Sequence, residues 1–126
     1  MTIAEYLEGV KERLLTDAIV QDFEIVRERA TEADGYLRAR LKLSNQQALE
    51  FSEYVQRTAD GSIQVVTYSY HWSDALGQLL IRWDNTPHYP TLFNFPHHLH
   101  RGTQDTVEPS ETMNIFAVLD FIVSAT

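Results

Sequence analysis

Apolar and polar side chains alternate strictly in residues 36–43, and this pattern restricts the fold more than any other. The apolar positions are Leu37, Ala39, Leu41 and Leu43, and the polar ones are Tyr36, Arg38, Arg40 and Lys42. A period of two is typical of a β-strand that buries one face and exposes the other. The segment is therefore predicted to be a half-buried strand.

Four further segments have the composition of strands: residues 19–29, 49–55, 63–72 and 78–84. Turn residues such as Asp34-Gly35 and Asp60-Gly61 separate them. Turn signals that recur about every ten residues indicate antiparallel strands joined as a meander. The sequence thus predicts a five-stranded antiparallel sheet.

Helical spacing replaces this alternation near the N-terminus. Thr2 and Glu5 match a capping box, in which each residue bonds the backbone of the other. The apolar positions that follow are Ile3, Leu7, Val10 and Leu14. Their spacing of three to four residues predicts a helix over residues 3–16 with one apolar stripe.

The C-terminal segment also has helical spacing. Ser110 is the predicted N-cap, Glu111 lies in the first turn, and one apolar face contains Ile115, Leu119 and Ile122. The predicted fold class is α+β, as a single domain over residues 1–126. Its order is an N-terminal helix, a five-stranded antiparallel meander sheet, a long His-rich loop and a C-terminal helix.

Composition excludes several functional classes. The chain has 126 residues and no cysteine, which rules out a disulfide framework, thiolate zinc sites and a cysteine nucleophile. Its formal net charge of -8 is opposite to that of a duplex-DNA binder. We see no signal-peptide pattern and no apolar run long enough to span a bilayer. We expect a small cytoplasmic protein whose partners include neither duplex DNA nor a membrane.

One charge-neutral window, residues 71–101, differs from the rest of the chain. It contains every histidine, namely His71, His88, His97, His98 and His100. The overlapping segment 85–109 lacks periodicity and contains all four prolines. A long irregular segment in a compact domain is usually functional or disordered, and the aromatic content argues against disorder. The sequence therefore places the candidate site here.

Histidines beside an arginine can cleave RNA without a metal ion. One imidazole accepts the 2′-OH proton while another protonates the leaving 5′-oxygen, since histidine titrates near neutral pH. An arginine stabilises charge on the phosphoryl oxygens. The predicted catalytic group has His98 and His100 as acid and base, His71 or His88 as an alternate, His97 beside them, Arg82 as phosphate ligand and Asp84 as orienting residue.

Nearby aromatic and basic residues are candidates for substrate binding. Aromatic rings stack on unpaired bases, and basic side chains bind phosphates. Arginines and a lysine on the strand of residues 36–43 form the most evident anion-binding stripe on this acidic protein. The residues expected to contact substrate are Tyr70, Trp72, Trp83, Arg38 and Arg40.

Three alternatives stay open. Histidines in Pro-rich loops often only cap turns or bond carbonyls. His98 and His100, or His97 and His100, could bind zinc with Asp84 or His88, although no HExxH motif supports this and we expect no metal and no cofactor. The loop could also be the recognition surface of a non-enzymatic binding module, since tyrosine, tryptophan and histidine occur at such surfaces.

Five segments resemble the TumE-type toxin family of prokaryotic toxin–antitoxin systems. The segments are Leu49–Val55, Tyr68–Trp72 with Asp74-Ala75, Arg82–Asn85 with Pro87-His88, Phe95–His98 with His100, and Glu108–Ser110. The family's motif positions carry over to His71, Trp72, Arg82, Trp83, Asp84, His88, His97, His98 and His100. Leu99 departs from the pattern, where the family is expected to have a basic or polar residue.

The resemblance implies a toxin whose partner is a helix-turn-helix antitoxin encoded beside it. The resemblance does not imply a particular reaction, because the mechanism of the family is itself unknown. RNA as the target is therefore an expectation from the histidine chemistry alone. A homodimer is left open, and Leu99 implies weaker local affinity for phosphate.

Overall fold

The computed structural model describes residues 1–102 and 106–126, and in these residues two helices cover one face of an antiparallel sheet. Helix α1 spans Ile3–Thr16 and helix α2 spans Ile115–Ala125. The strands are β1 (Val20–Ala30), β2 (Asp34–Leu43), β3 (Ala48–Arg57), β4 (Ile63–Ser73), β5 (Leu79–Asp84), β6 (His98–Arg101) and β7 (Thr106–Pro109). They pair in chain order from β1 to β7, so the predicted antiparallel meander is confirmed.

Helix α1 begins as the capping pattern predicts. Thr2 Oγ1 accepts a hydrogen bond from the Glu5 backbone N–H at 3.0 Å, and Glu5 Oε1 accepts one from the Thr2 backbone N–H at 2.8 Å. Two of the N–H groups that have no partner within the helix are thereby satisfied. The predicted apolar stripe of α1 is buried against the sheet.

The sheet has seven strands, and the prediction of five was wrong. Strands β6 and β7 lie inside the segment that was predicted to be a loop. Each has four residues, and β6 buries His98 and His100 where an ordinary strand would bury aliphatic side chains. A hydrophobic period of two therefore does not mark this strand, and Pro109 further weakens the strand pattern of β7.

Helix α2 begins at Ile115 rather than after Ser110. Its N-cap is Asn114, whose side chain accepts a hydrogen bond from the Ala117 N–H at 2.9 Å. Ser110 and Glu111 belong to the non-helical connection from β7. Asn and Ser are equally good N-caps, and the buried partner of the Ile115 N–H, Glu53 Oε2 at 2.8 Å, decides between them.

Gly35 has a different role from the one its turn pattern suggests. It lies within β2, paired with Val55 of β3, and not in the hairpin. A Cβ atom at this position would lie 2.6 Å from Cγ2 of Ile3, which is closer than packed atoms approach. Glycine is therefore required here by the close approach of helix α1 to the sheet.

Strand register separates the core from a second face. Alternate residues of β2–β5 pack under the helices, and the others lie on the opposite side, which we call the open face. One cross-strand row on the open face joins Arg40, Glu50, His71, Arg82 and His100. A neighbouring row joins Arg38, Ser52, Ser69, Asp84 and His98. Residues far apart in the sequence are thereby brought together.

Candidate functional site

The candidate site is centred on the carboxylate of Asp84, the last residue of β5. Oδ1 lies 2.8 Å from Nε2 of His98, and Oδ2 lies 3.3 Å from Nε of Arg82 and 3.8 Å from Nε2 of His100. Asp84, His98 and His100 are all buried. The alternation of β5 and β6 creates this cluster, because each strand presents two polar residues, separated by one, to the same face.

His98 has both ring nitrogens engaged. Nδ1 lies 2.9 Å from the carbonyl oxygen of Pro96, which can only accept a hydrogen bond, so Nδ1 carries a proton. Nε2 faces the Asp84 carboxylate on its other side. Since a carboxylate is also an acceptor, a second proton or a metal ion must lie between these two groups. His98 therefore has no ring nitrogen free for a substrate.

Arg82 connects the buried cluster to solvent. Its Nε atom is buried and has no hydrogen-bond partner among the described residues, although it forms an ion pair with Asp84. The side chain as a whole is 39% exposed. The guanidinium group therefore anchors one edge at the cluster and presents the rest to the open face, where it can bind an anion.

Tyr89 covers the two histidines. Its ring centroid lies 4.9 Å from that of His98 and 6.1 Å from that of His100, in edge-on contacts. The two imidazoles are themselves 5.1 Å apart. Tyr89 belongs to the irregular segment between β5 and β6, so this segment forms one wall of the site.

His71 borders an open groove next to the cluster. The groove has a volume of about 450 Å³ and is lined by Arg38, Glu50, Phe51, Ser52, Ser69, His71 and Arg82. Burial lowers the pKa of His71, and the positive charge of Arg82 lowers it further, while Glu50 opposes both effects. His71 is therefore neutral at pH 7 and can accept a proton.

The cluster also has the composition of a transition-metal site. One donor atom each from Asp84, His98 and His100 lies within 4.8 Å of the other two. Two imidazoles and one carboxylate are typical zinc ligands. The bond between His98 Nδ1 and the Pro96 carbonyl is the support that a ligating histidine usually has. These three residues could therefore hold a divalent ion as well as a proton.

Comparison with known proteins assigns the chain to a family. The family model described as Toxin TumE matches residues 10–125, nearly the whole chain. The chain belongs to the TumE toxin family. It is thus a toxin-like component of a toxin–antitoxin system, and the family implies an antitoxin partner. Neither the curated proteins nor the solved structures gave a match.

The motif histidines of this TumE-family chain are divided among three places. His98 and His100 lie in the cluster and His71 beside it. His97 points elsewhere: Nδ1 lies 2.8 Å from Tyr68 Oη, Nε2 lies 3.2 Å from Thr112 Oγ1, and its ring stacks on Tyr68. His88 is exposed and contacts Tyr89 edge-on. The structure thus does not bring His97 or His88 to Asp84.

The three aromatic residues expected to stack on substrate lie in the core. Tyr70, Trp72 and Trp83 are all buried on the helix side of the sheet. The two tryptophan rings stack on each other and both meet Phe121 of α2 edge-on. No face of these rings is available to a base. Leu99 is half-buried and packs against the core, whereas His98 and His100 on either side of it in β6 belong to the site.

Arg38 and Arg40 lie on the open face, as the alternation predicts. Both are more than one-third exposed and form ion pairs with Glu50, Arg38 at 2.5 Å and Arg40 at 3.7 Å. Glu50, Ser52 and Ser69 of the groove were not recognised in the sequence, because only strand register places them next to His71. Among the described residues, no helix has the length and apolarity needed to cross a bilayer.

Proposed function

We propose that this toxin cleaves RNA by metal-independent transfer of the phosphodiester to the 2′-oxygen. The observation that carries this proposal is the row His71, Arg82 and His100 on adjacent strands of the open face. Adjacent strands are about 4.8 Å apart. The guanidinium of Arg82 therefore lies between the imidazoles of His71 and His100, with space for one phosphate. Residues with these three functions are what the reaction requires.

His71 is the general base. It borders the groove and is neutral at pH 7, so it can take the proton of the attacking 2′-OH. The 2′-oxygen then forms a bond to phosphorus as the bond from phosphorus to the 5′-oxygen breaks. Arg82 binds the non-bridging oxygens, whose negative charge grows in the transition state.

His100 is the general acid that protonates the leaving 5′-oxygen. Oδ2 of Asp84 lies 3.8 Å from Nε2 of His100, so the carboxylate can orient this ring. His98 holds Asp84 in place from the other side and is therefore a positioning residue. The products are a 2′,3′-cyclic phosphate and a 5′-OH end. This arrangement changes the assignment made from the sequence, in which His98 and His100 were the acid and base.

The test combines growth and RNA chemistry. We expect induction of the wild-type chain to arrest a bacterial host and to create new 5′-OH ends in its RNA. His71→Ala, His100→Ala and Arg82→Gln should abolish both effects, whereas Arg57→Gln, which removes an exposed arginine outside the groove, should abolish neither. If growth arrest persists in all three site variants, the proposed reaction is wrong.

A metal-dependent hydrolase is the second candidate function. It is favoured by the placement of one donor atom from each of Asp84, His98 and His100 around a common centre. In that case a bound ion would supply a water nucleophile and the products would not include a cyclic phosphate. Elemental analysis of the purified protein, together with the chemistry of the RNA ends, distinguishes the two candidates.

A further inference from the structure

The open face gathers basic side chains although the protein as a whole is acidic. The chain carries a net charge of -8. Its open-face positions on β1, β2 and β5 nevertheless include five basic residues, namely Arg27, Arg38, Arg40, Lys42 and Arg82. The acidic residues on the same face are Asp22, Glu24, Glu50 and Asp84. A local cluster of basic side chains can bind the phosphates of a polyanion even on an acidic protein.

The groove joins this basic surface to the candidate site. Arg38 lines one end and Arg82 the other, with Ser52 and Ser69 on the strands between them. Arg38 on β2 and Arg82 on β5 are three strand spacings apart, which is about 14 Å. The distance suits several consecutive backbone phosphates, whereas a single small anion would engage only one end.

An aromatic platform lies at the Arg38 end. Tyr36 precedes Arg38 by two residues on the same face of β2 and is half-buried. Its register partner on β3 is Tyr54. The guanidinium carbon of Arg27 lies over one face of the Tyr36 ring, 5.9 Å from its centroid, so a base would have to stack on the opposite face. An aromatic ring bordered by arginines is typical of sites that stack unpaired bases.

We propose that single-stranded RNA lies across the open face, with phosphates on Arg82 and Arg38 and a base stacked on Tyr36. The inference rests on the proposed ribonuclease function and names its substrate class. Duplex RNA does not fit, because its base faces are hidden in the stack and cannot contact the tyrosine. The buried tryptophans are thus replaced, as the stacking surface, by a tyrosine outside the His-rich window.

Glu50 limits the affinity of this surface. It lies in the groove and pairs with both Arg38 and Arg40. The arginines hold the pKa of Glu50 below its usual range, with Arg38 the larger cause, so its carboxylate is charged and repels phosphate. Replacing Glu50 by glutamine should therefore free two arginines and tighten RNA binding. Loss of a purely structural ion pair would not produce that gain.

The experiment measures binding without cleavage. The probe is a fluorescein-labelled 2′-O-methyl oligoribonucleotide of mixed sequence, which lacks the attacking hydroxyl, and the readout is fluorescence anisotropy. We expect Tyr36→Ala to weaken binding by roughly 5- to 150-fold, and Tyr36→Phe to leave it unchanged. Arg38→Gln should weaken binding and lower the slope of log K against log salt by about 0.7, and Glu50→Gln should tighten it.

Arg57→Gln is the matched control, because it removes the same charge outside the groove. Equal affinity of Tyr36→Ala, Arg38→Gln and this control would overturn the inference, as would Glu50→Gln binding no tighter than wild type. A labelled duplex of the same sequence should bind more weakly; tighter duplex binding also contradicts it.

The two proposals can fail separately. If the 2′-O-methyl probe follows the predicted order of affinities but unmodified RNA is not cleaved, the binding surface stands and the ribonuclease function fails. If cleavage requires His71 and His100 but RNA affinity does not depend on Tyr36 and Arg38, the ribonuclease function stands and the binding surface fails. Thermal melting of each variant separates loss of binding from loss of folding.

Discussion

His98 Nε2 and Asp84 Oδ1 lie 2.8 Å apart on neighbouring strands, while the other ring nitrogen of His98 donates to the Pro96 carbonyl. Both sides of the imidazole therefore face acceptors, and the pair needs a proton or a metal ion between its two members. Buried polar groups of this kind strongly constrain their surroundings, because each unsatisfied member is costly. The pair fixes the position of Oδ2, the atom that faces Arg82 and His100.

Asp84→Asn should inactivate the site while largely preserving the fold. The amide keeps the size of the carboxylate but removes the negative charge that lies beside His100 and Arg82. General acid catalysis contributes about 10²- to 10⁴-fold, and we expect a loss of that size in kcat. Single-turnover cleavage with a model dinucleotide measures it. A variant that retains wild-type kcat would exclude Asp84 from the reaction.

The acidic limb of the pH–rate profile of RNA cleavage should report the titration of His71. A general base must be unprotonated, and burial together with Arg82 lowers the pKa of His71 from its ordinary value of 6.5. Activity should therefore persist below pH 6.5 and fall only as the pH drops through the lowered value. In Arg82→Gln one of these causes is absent, so the pKa of His71, followed by NMR titration of its imidazole, should move toward 6.5. Movement in the opposite direction would contradict the assignment.

Glu53 should make the protein less stable as the pH rises. It is buried and accepts hydrogen bonds from Tyr6 Oη, Tyr70 Oη and the Ile115 N–H, at 2.6, 2.6 and 2.8 Å. Burial raises its pKa, although these donors oppose the shift. A raised folded-state pKa stabilises the fold fully below the unfolded value of about 4.5, and the contribution is lost as the pH rises through the folded value.

Urea denaturation of wild type and Glu53→Gln, from the unfolded-state pKa of Glu53 upward, tests whether stability falls with pH as predicted. The free energy of unfolding of wild type, relative to the variant, should fall as the pH rises. Glu53→Ala should cost more, because each buried donor left without a partner costs about 1–3 kcal/mol. A rise in relative stability with pH would contradict this prediction. It would show that the three donors lower the pKa of Glu53 by more than burial raises it.

His97 should affect stability and not catalysis. It bonds Tyr68 and Thr112, away from the cluster. Burial lowers its pKa, and nearby His98 lowers it further. Its contribution to stability is therefore present above the ordinary value of 6.5 and is lost as the pH falls through the lowered value. We expect His97→Gln to cost about 1 kcal/mol at pH 7.5 and to flatten the acid side of the Tm profile.

Removal of metal ions should leave RNA cleavage intact. The proposed reaction uses imidazoles and a guanidinium, so dialysis against EDTA should not change the rate. The measurement is cleavage before and after dialysis, with zinc added back to one sample. Loss of activity that zinc restores would instead assign Asp84, His98 and His100 as metal ligands and support the second candidate function.

Local patterns predicted much of the fold. The capping box at Thr2 and Glu5, the apolar stripe of α1 and the alternation in β2 report interactions within a few residues, so they are visible in the sequence. Alternation in β5 likewise separates the buried Ile81 and Trp83 from Arg82 and Asp84 on the open face. Strand β6 was not predicted because its buried residues are histidines, which a hydrophobic pattern does not detect.

The sequence by itself determined the cap of helix α1, the alternation of β2 and the concentration of histidine in one window. Only the tertiary structure decided that His98 and His100, rather than His97 or His88, meet Asp84, and that His71 shares their face. The physical reason is strand register. A shift of one residue moves every side chain to the other face, and register is set by packing between strands that are distant in the chain.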